Sequence, residues 1–249
     1  MVVDQYIHRM LGYLIYSSCG RNKNDINEYL VRTGFVRLLI IYNPTAGQRR
    51  RRRFEAVLRA LETQGAAITL RPTTRRGDAE AFAREAASGG FDRVVAAGGD
   101  GTINEAINGL AGSGMALAIV PLGTANVLAA ELGLGGRPAE IAAAILRGTA
   151  RPIALGRIIT AEHARRFVMM AGIGFDARVV AQVNPALKRL TGKFAYVIAL
   201  LREMLRDPGL VFRVEVDGRV YRAASVIVAK GHFYGGRFVA CPEARLERS

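Results

Sequence analysis

The eight residues Gly98-Gly99-Asp100-Gly101-Thr102-Ile103-Asn104-Glu105 combine the types and spacing that phosphate chemistry needs. They follow the apolar stretch 91–97 and open an amphipathic segment, the pattern of a strand that runs through a glycine-rich turn into a helix. Gly98, Gly99 and Gly101 let the backbone approach a ligand without interference from a Cβ, and the unpaired N–H groups and positive dipole end of a helix start suit an anion. Asp100 narrows the choice. A carboxylate inside a phosphate nest repels the ligand unless a divalent cation intervenes, so the expected ligand is a nucleotide carrying a metal ion, with Asp100 managing that cation. Thr102 and Glu105 also have the spacing of a capping box, Thr at the N-cap and Glu three residues later, which would hold the nest in shape.

Extended to Leu110, the run reads G-G-D-G-T-x-N-E-x-x-N-G-L without a break and resembles the signature of the diacylglycerol kinase catalytic family, which includes the sphingosine kinases and many bacterial lipid kinases. NAD kinases and phosphofructokinases share G-G-D-G, but Asn104-Glu105 and the Asn108-Gly109-Leu110 ending fit the lipid kinases better. The resemblance covers residues 36 to 245. It implies that Pro121-Leu122-Gly123-Thr124-Ala125-Asn126 is the family's second nucleotide motif, P-x-G-T-x-N. Thr124 would then bond a phosphate through its hydroxyl, and Asn126 would fix the loop or touch the nucleotide; a plain helix N-cap is the other reading of Thr124. Asn43-Pro44-Thr45-Ala46-Gly47 is similar to the N-P-x-[SA]-G loop that lines the same pocket, and Thr73 sits where relatives contact ATP. The implied nucleotide-binding set is Asn43, Gly47, Thr73, Gly98, Gly99, Asp100, Gly101, Thr102, Asn104, Glu105, Gly123, Thr124 and Asn126, with ATP and Mg2+ as cofactors and Asp100 as the metal contact.

These residues need a frame. From residue 36 strands and helices alternate, which argues for a parallel sheet covered by helices. Strands are expected at 36–42, 66–71, 92–97 and 116–120, with helices at 50–63, 78–88 and 102–111 between them. Every candidate loop then follows the carboxyl end of a strand, on the sheet edge where open α/β folds bind ligands. A further helix is expected at 138–147, with Pro138 in its first turn and Gly148 at its end. Beyond Arg151 strands dominate, at 152–160, 166–171, 210–216 and 219–229, with a helix at 187–206 and a two-residue hairpin signal in Val216-Asp217-Gly218-Arg219. The expected fold class is α/β: a doubly wound parallel sheet, NAD kinase/phosphofructokinase-like, followed by a mainly β domain, which the resemblance makes a β-sandwich. Residues 1–35 are expected to be a poorly ordered extension, 36–150 the nucleotide-binding domain and 151–249 the lipid-side domain.

Half of the 249 residues are hydrophobic, and the formal net charge is +14, with arginine supplying 31 of the 35 basic residues. That excess suits phosphate or an anionic membrane surface. Aromatic residues are 7% and are not interleaved with the arginines, so the stacking platforms of single-strand binders are missing and nucleic acid is not an expected partner. Arg49–Arg53 crowds the first turn of an expected helix, where cations oppose the dipole and need a compensating anion or a solvated face. Cys19 and Cys241 have no partner motif, which excludes a disulfide framework or zinc site and fits a reducing cytosol. The N-terminal apolar run, residues 10–16, is far short of a membrane span. A cytoplasmic location with peripheral contact at an anionic membrane is expected.

Gly172-Ile173-Gly174-Phe175-Asp176-Ala177 superficially matches a dinucleotide fingerprint, but residues 190–201 hold no acid for the ribose, so that reading is rejected. The run instead resembles the family's G-x-G-F-D-A element, where the lipid is expected to enter and Asp176 to orient the cleft or bind a cation. Pro242 to Leu246 resembles the approach to the family's last segment. In relatives an acidic pair and glycine follow there, then further strands, and the carboxylate usually assigned as proton acceptor lies in that final segment. Here only Glu247 could stand in for that acidic position, so no catalytic base is carried over, Glu247 is a weak candidate, and the chain reads as truncated, with an incomplete sandwich and impaired activity. Ala154 also occupies a position where many relatives have aspartate. The expected function is transfer of the γ-phosphoryl of ATP to a lipid hydroxyl; the alternatives are an NAD kinase-like enzyme and an inactive nucleotide- or membrane-binding protein.

Overall fold

A strand buried on both faces must be apolar at consecutive positions, and Leu38-Leu39-Ile40-Ile41 meets that demand with exposures of 1% or less. The computed structural model describes residues 11–14, 35–47, 50–182 and 211–247. The chain divides into two compact units, Met1–Met169 with Lys230–Ser249, and Met170–Ala229. In the first, the elements run β1 (Leu11–Leu14), β2 (Val36–Tyr42), α1 (Pro44–Gly47), α2 (Arg51–Thr63), β3 (Ala66–Pro72), α3 (Asp78–Ala86), β4 (Arg93–Gly98), α4 (Asp100–Leu110), β5 (Ala116–Pro121), α5 (Val127–Glu131), α6 (Pro138–Arg147), β6 (Arg151–Ala154), β7 (Gly156–Ile159) and β8 (Ala164–Phe167). The second contributes β9 (Met170–Gly174), α7 (Phe175–Gln182), β10 (Phe212–Val216), β11 (Arg219–Ala223) and β12 (Ser225–Ala229). Two short strands, β13 (Phe233–Tyr234) and β14 (Phe238–Val239), belong again to the first unit.

The central sheet has the order β3-β2-β4-β5 with every neighbour parallel. The chain steps outward from β2 to β3, then crosses back to β4 and β5. The direction of winding therefore reverses between β2 and β4, and the loops leaving those two strands diverge around a crevice. Alternation along β2 sends Leu38 and Ile40 toward Phe54, Val57 and Leu61 of α2 and Ile141 and Ile145 of α6, whose spacing of three or four residues presents one apolar stripe. Tyr42 stacks on Phe54 with centroids 4.4 Å apart. Pro138 and Gly148 bound α6 as expected, and Arg93 Nη1 donates to the Ile145 and Gly148 carbonyls at 2.5 and 3.4 Å, a cation at the negative end of that helix.

The second unit pairs β10 with β11 and β9 with β12, both antiparallel. Asp217 and Gly218 turn the first hairpin with φ of 49° and 73°, both left-handed as a two-residue turn requires. The stretches expected as continuous strands over 152–160 and 219–229 each break after four or five residues, into β6 and β7 and into β11 and β12. Strands β6 to β8 lie in the first unit. Of the segment expected to be a poorly ordered extension, Leu11–Leu14 forms β1 and pairs antiparallel with β6; the remainder up to residue 34 lies outside the described residues, as does the helix expected over 187–206.

The start of α4 corrects the capping-box expectation. Gly99 is the N-cap, extended at φ −97° and ψ −176°, and its carbonyl accepts the first helical bond, from Ile103 N at 3.1 Å. Thr102 therefore stands three residues inside the helix, buried at 6% exposure, and no side chain caps the turn. The helix begins early because Gly98 finishes β4, its carbonyl already accepting from Leu122 N and Gly123 N at 2.9 and 3.2 Å.

Helices α3 and α4 touch at Gly109, where a Cβ would lie 2.2 Å from the Glu80 carbonyl oxygen. Gly109→Ala is expected to force the two helices apart and cost about 1–3 kcal/mol, read as a lower midpoint in denaturant. At the start of α3, Asp78 Oδ2 accepts from Thr74 N, Arg75 N and Thr74 Oγ1 at 2.8, 3.0 and 2.8 Å, and the two backbone donors and the hydroxyl hold its carboxyl down to about 2. Because the folded-state value lies below the ordinary 3.8, the contribution is complete above 3.8 and disappears as pH falls toward about 2. Asp78→Asn is expected to be less stable than wild type at pH 7, with the gap closing across that window in thermal melts.

Candidate functional site

The crevice at the switch point holds a cavity of about 480 Å³ lined by Asn43, Thr45, Thr73, Thr74, Arg75, Arg76, Ala79, Gly101, Thr102, Asn104, Glu105 and Arg165. Asn43, at the end of β2, builds one wall. Its Oδ1 accepts from Thr45 N, Thr45 Oγ1 and Ala46 N at 3.0, 2.8 and 3.2 Å, which turns the chain into α1 with Pro44 at the first position, and its Nδ2 donates to Thr102 Oγ1 at 3.0 Å. The loops after β2 and β4 are thereby joined across the crevice. Thr73 N donates to Tyr42 O at 2.8 Å, which sets the loop after β3 against the same wall, and Asp78 folds the rest of that loop.

The floor is the first turn of α4. At Gly101 a Cβ would meet no protein atom within 4 Å, so the backbone faces open cavity there. Asp100 Oδ1 accepts from Val127 N at 2.7 Å, tying the signature turn to the first residue of α5. The second motif closes on the same turn: a Cβ on Gly123 would lie 2.5 Å from Gly99 Cα, so only glycine permits the contact. Asn126, buried and left-handed at φ 48°, fixes that loop by accepting from Gly123 N at 2.9 Å and donating to Gly123 O at 2.6 Å. Asn126 is also the residue that precedes α5, which removes the N-cap reading of Thr124; Thr124 stands exposed in the loop.

Of the expected set, Asn43, Thr73, Gly101, Thr102, Asn104 and Glu105 line the cavity together. Gly98, Gly99, Asp100, Gly123 and Asn126 form the interlocked turns behind them, and Gly47 ends α1. The second asparagine of the signature serves packing: Asn108 donates to Arg166 O and accepts from Arg166 N, both at 3.0 Å, clasping β8 to α4. Glu247 is exposed, follows Leu246, whose carbonyl accepts from Ala154 N at 2.7 Å, and is not among the cavity residues. Asp176 falls in the second residue of α7.

Sequence reasoning missed Thr45, Thr74, Arg75, Arg76, Ala79 and Arg165 as cavity residues. The first four sit in loops already singled out, so their position after a strand was the available signal. Arg165 had none, since it lies in a short strand far from any motif; Glu80 Oε2 holds it at 3.0 Å, and Glu80 Oε1 accepts from Arg84 at 2.7 Å. The run at the start of α2 is met in several ways: Arg50 donates to Pro121 O at 3.2 Å, Arg51 pairs with Glu55 at 2.9 Å and Arg53 donates to Gly136 O at 2.8 Å, while Arg49 lies outside the described residues. The cavity thus has three guanidinium groups, one carboxylate and a helix N-terminus, a composition that attracts a polyanion.

Residues 37–158 match the diacylglycerol kinase catalytic domain, and residues 169–248 match the YegS C-terminal NAD kinase beta sandwich-like domain. The chain is 33% identical over 216 residues to a diacylglycerol kinase of Bacillus subtilis, covering 84% of this chain and 70% of that protein. It is 35% identical over 214 residues to a protein of Pseudomonas aeruginosa named probable lipid kinase YegS-like, covering 84% and 68%. A crystal structure of a diacylglycerol kinase from Bacillus anthracis aligns with a TM-score of 0.63 at 29% identity, over 85% of this chain and 69% of that one. Sequence signature, parallel-sheet frame and relatives agree along most of the length: the chain belongs to the diacylglycerol kinase family, together with the YegS-like lipid kinases.

Proposed function

We propose that the chain binds ATP with its magnesium ion in the crevice cavity and transfers the γ-phosphoryl to the hydroxyl of a lipid, at a peripheral position on an anionic membrane. The carrying observation is the cavity itself, in which Gly101 at the start of α4 faces open space flanked by Arg75, Arg76 and Arg165. The first-turn amides of α4 and the guanidinium groups hold the phosphate tail and offset the charge that spreads over the transferred group. Thr73 and Asn43 set the walls that orient it, and Thr124 presents a hydroxyl to a phosphate from the second loop. Asp100 would hold the magnesium through Oδ2, its Oδ1 being taken by Val127 N; such an ion at kinase sites takes one or two carboxylates and completes its shell with phosphate oxygens and water. When bound, the ion neutralises charge between adjacent phosphates.

In the transfer, the lipid oxygen forms a bond to the γ-phosphorus as the bond from that phosphorus to the bridging oxygen of ADP breaks, and the hydroxyl proton leaves to a base. Glu247 is the carboxylate of this chain proposed for that proton. Among the described residues no helix is long and apolar enough to cross a membrane.

Purified protein with labelled ATP and magnesium is expected to phosphorylate diacylglycerol or a sphingoid base in mixed micelles and to leave NAD unmodified. Labelling of NAD alone would replace the proposal with an NAD kinase, and ATP binding without turnover on a broad lipid panel would leave a nucleotide-binding protein. Gly101→Ala places a methyl group where no protein atom stands, so its melting temperature is expected to be at or above that of wild type while ATP affinity falls by about tenfold or more in calorimetry, by displacement of the phosphate tail.

A further inference from the structure

Glu131 is a carboxylate that the reaction described above does not use, yet its side chain is only 5% exposed. It stands at the last position of α5, the negative end of a helix, where a buried carboxylate is unfavourable unless donors satisfy it. Three do, all from one place. Glu131 Oε2 accepts from His232 N and Phe233 N at 2.9 and 3.3 Å, and Oε1 is hydrogen-bonded to His232 Nδ1. Gly231, just before this pair of amides, packs against Met169 first and Glu131 next, a Cβ there lying 3.0 Å from Met169 Sδ and 3.1 Å from Glu131 Cδ. His232 is in turn a hub: its carbonyl accepts from Ala240 N and Cys241 N at 2.9 and 3.2 Å, and its Nε2 faces Arg245 Nη1, which also donates to Pro242 O and Ala244 O at 2.9 and 2.7 Å. Nδ1 thus faces the Glu131 carboxylate and Nε2 faces the Arg245 guanidinium.

At its other end α5 begins with Val127, whose N–H is held by Asp100 of the signature turn. A five-residue helix is thus pinned at one end to the nucleotide turn and at the other to the segment that carries Glu247. We infer that the Glu131–His232–Arg245 chain is a latch that couples the nucleotide turn to residues 232–247, and that Glu131 and His232 are positioning residues for phosphoryl transfer. The inference rests on the proposed nucleotide site. Its working content is that filling the site with Mg-ATP steadies the latched segment, and that cutting the latch breaks this link without abolishing nucleotide binding.

The test uses the full chain and two readouts. Amide hydrogen exchange is measured over residues 232–246 with and without Mg-ATP, alongside ATP affinity by calorimetry. In wild type Mg-ATP is expected to slow exchange there by about tenfold. Glu131→Ala is expected to lose that response while retaining ATP affinity and the slow exchange of β2 and β4. Because Glu131 is buried, His232→Ala, a 31% exposed side chain, serves as the second variant with the same expectation. His232→Asn, whose Nδ2 can take the place of Nδ1–H, is expected to restore the response. In turnover, both alanine variants are expected to lower kcat by about tenfold with the KM for ATP little changed. Wild type that binds Mg-ATP with no change in exchange over 232–246 overturns the latch alone, as do alanine variants that keep the response. Wild type that binds no ATP overturns the nucleotide site and the latch with it.

Discussion

Two glycine turns lie close enough to share a carbonyl. Gly98 O accepts from both Leu122 N and Gly123 N, Gly123 has room for hydrogen alone against Gly99 Cα, and Asp100 reaches over to Val127 N. That close contact shapes the cavity floor. It ends β4 one residue before α4 begins, so no side chain caps the first turn of the helix, and Gly101 and Thr102 of that turn line the crevice. The constraint also explains why Gly98 and Gly123 tolerate no side chain, since a Cβ at the first would run into Thr102 and at the second into Gly99, whereas Gly101 of the same turn borders open space.

The frame that delivers this contact is built from ordinary preferences. Consecutive branched residues make β2 a central strand, the order β3-β2-β4-β5 puts the reversal of winding between β2 and β4, and Asn43 bridges to Thr102 across the gap that results. Polar groups around the cavity are organised by short-range bonds within loops, as in the grip of Asp78 on Thr74 and Arg75, so the walls are set before any ligand arrives.

Much of this was legible in the sequence because the relevant signals are local. The strand 36–42 and the helix 138–147 were bounded to the residue by an apolar run and by a Pro and Gly pair, and the Asp217-Gly218 turn by the need for two left-handed residues. What escaped depended on contacts distant along the chain. The Thr102–Glu105 spacing imitates a capping box, but the bonds that place the helix start come from Leu122 and Gly123. The Asp100 partner is 27 residues away at the start of α5, and Glu131 meets His232 across 101 residues. No periodicity or motif encodes such pairings.

The clasp between Asn108 and Arg166 has a bearing on how such sequences are recognised. The ending of the signature that distinguishes this family from its neighbours touches a strand edge through Asn108 and a neighbouring helix through Gly109, with neither residue on the cavity wall. Its presence in a genome therefore certifies joinery and not chemistry. A lineage that abandoned phosphoryl transfer would still be held to those letters for as long as it folded.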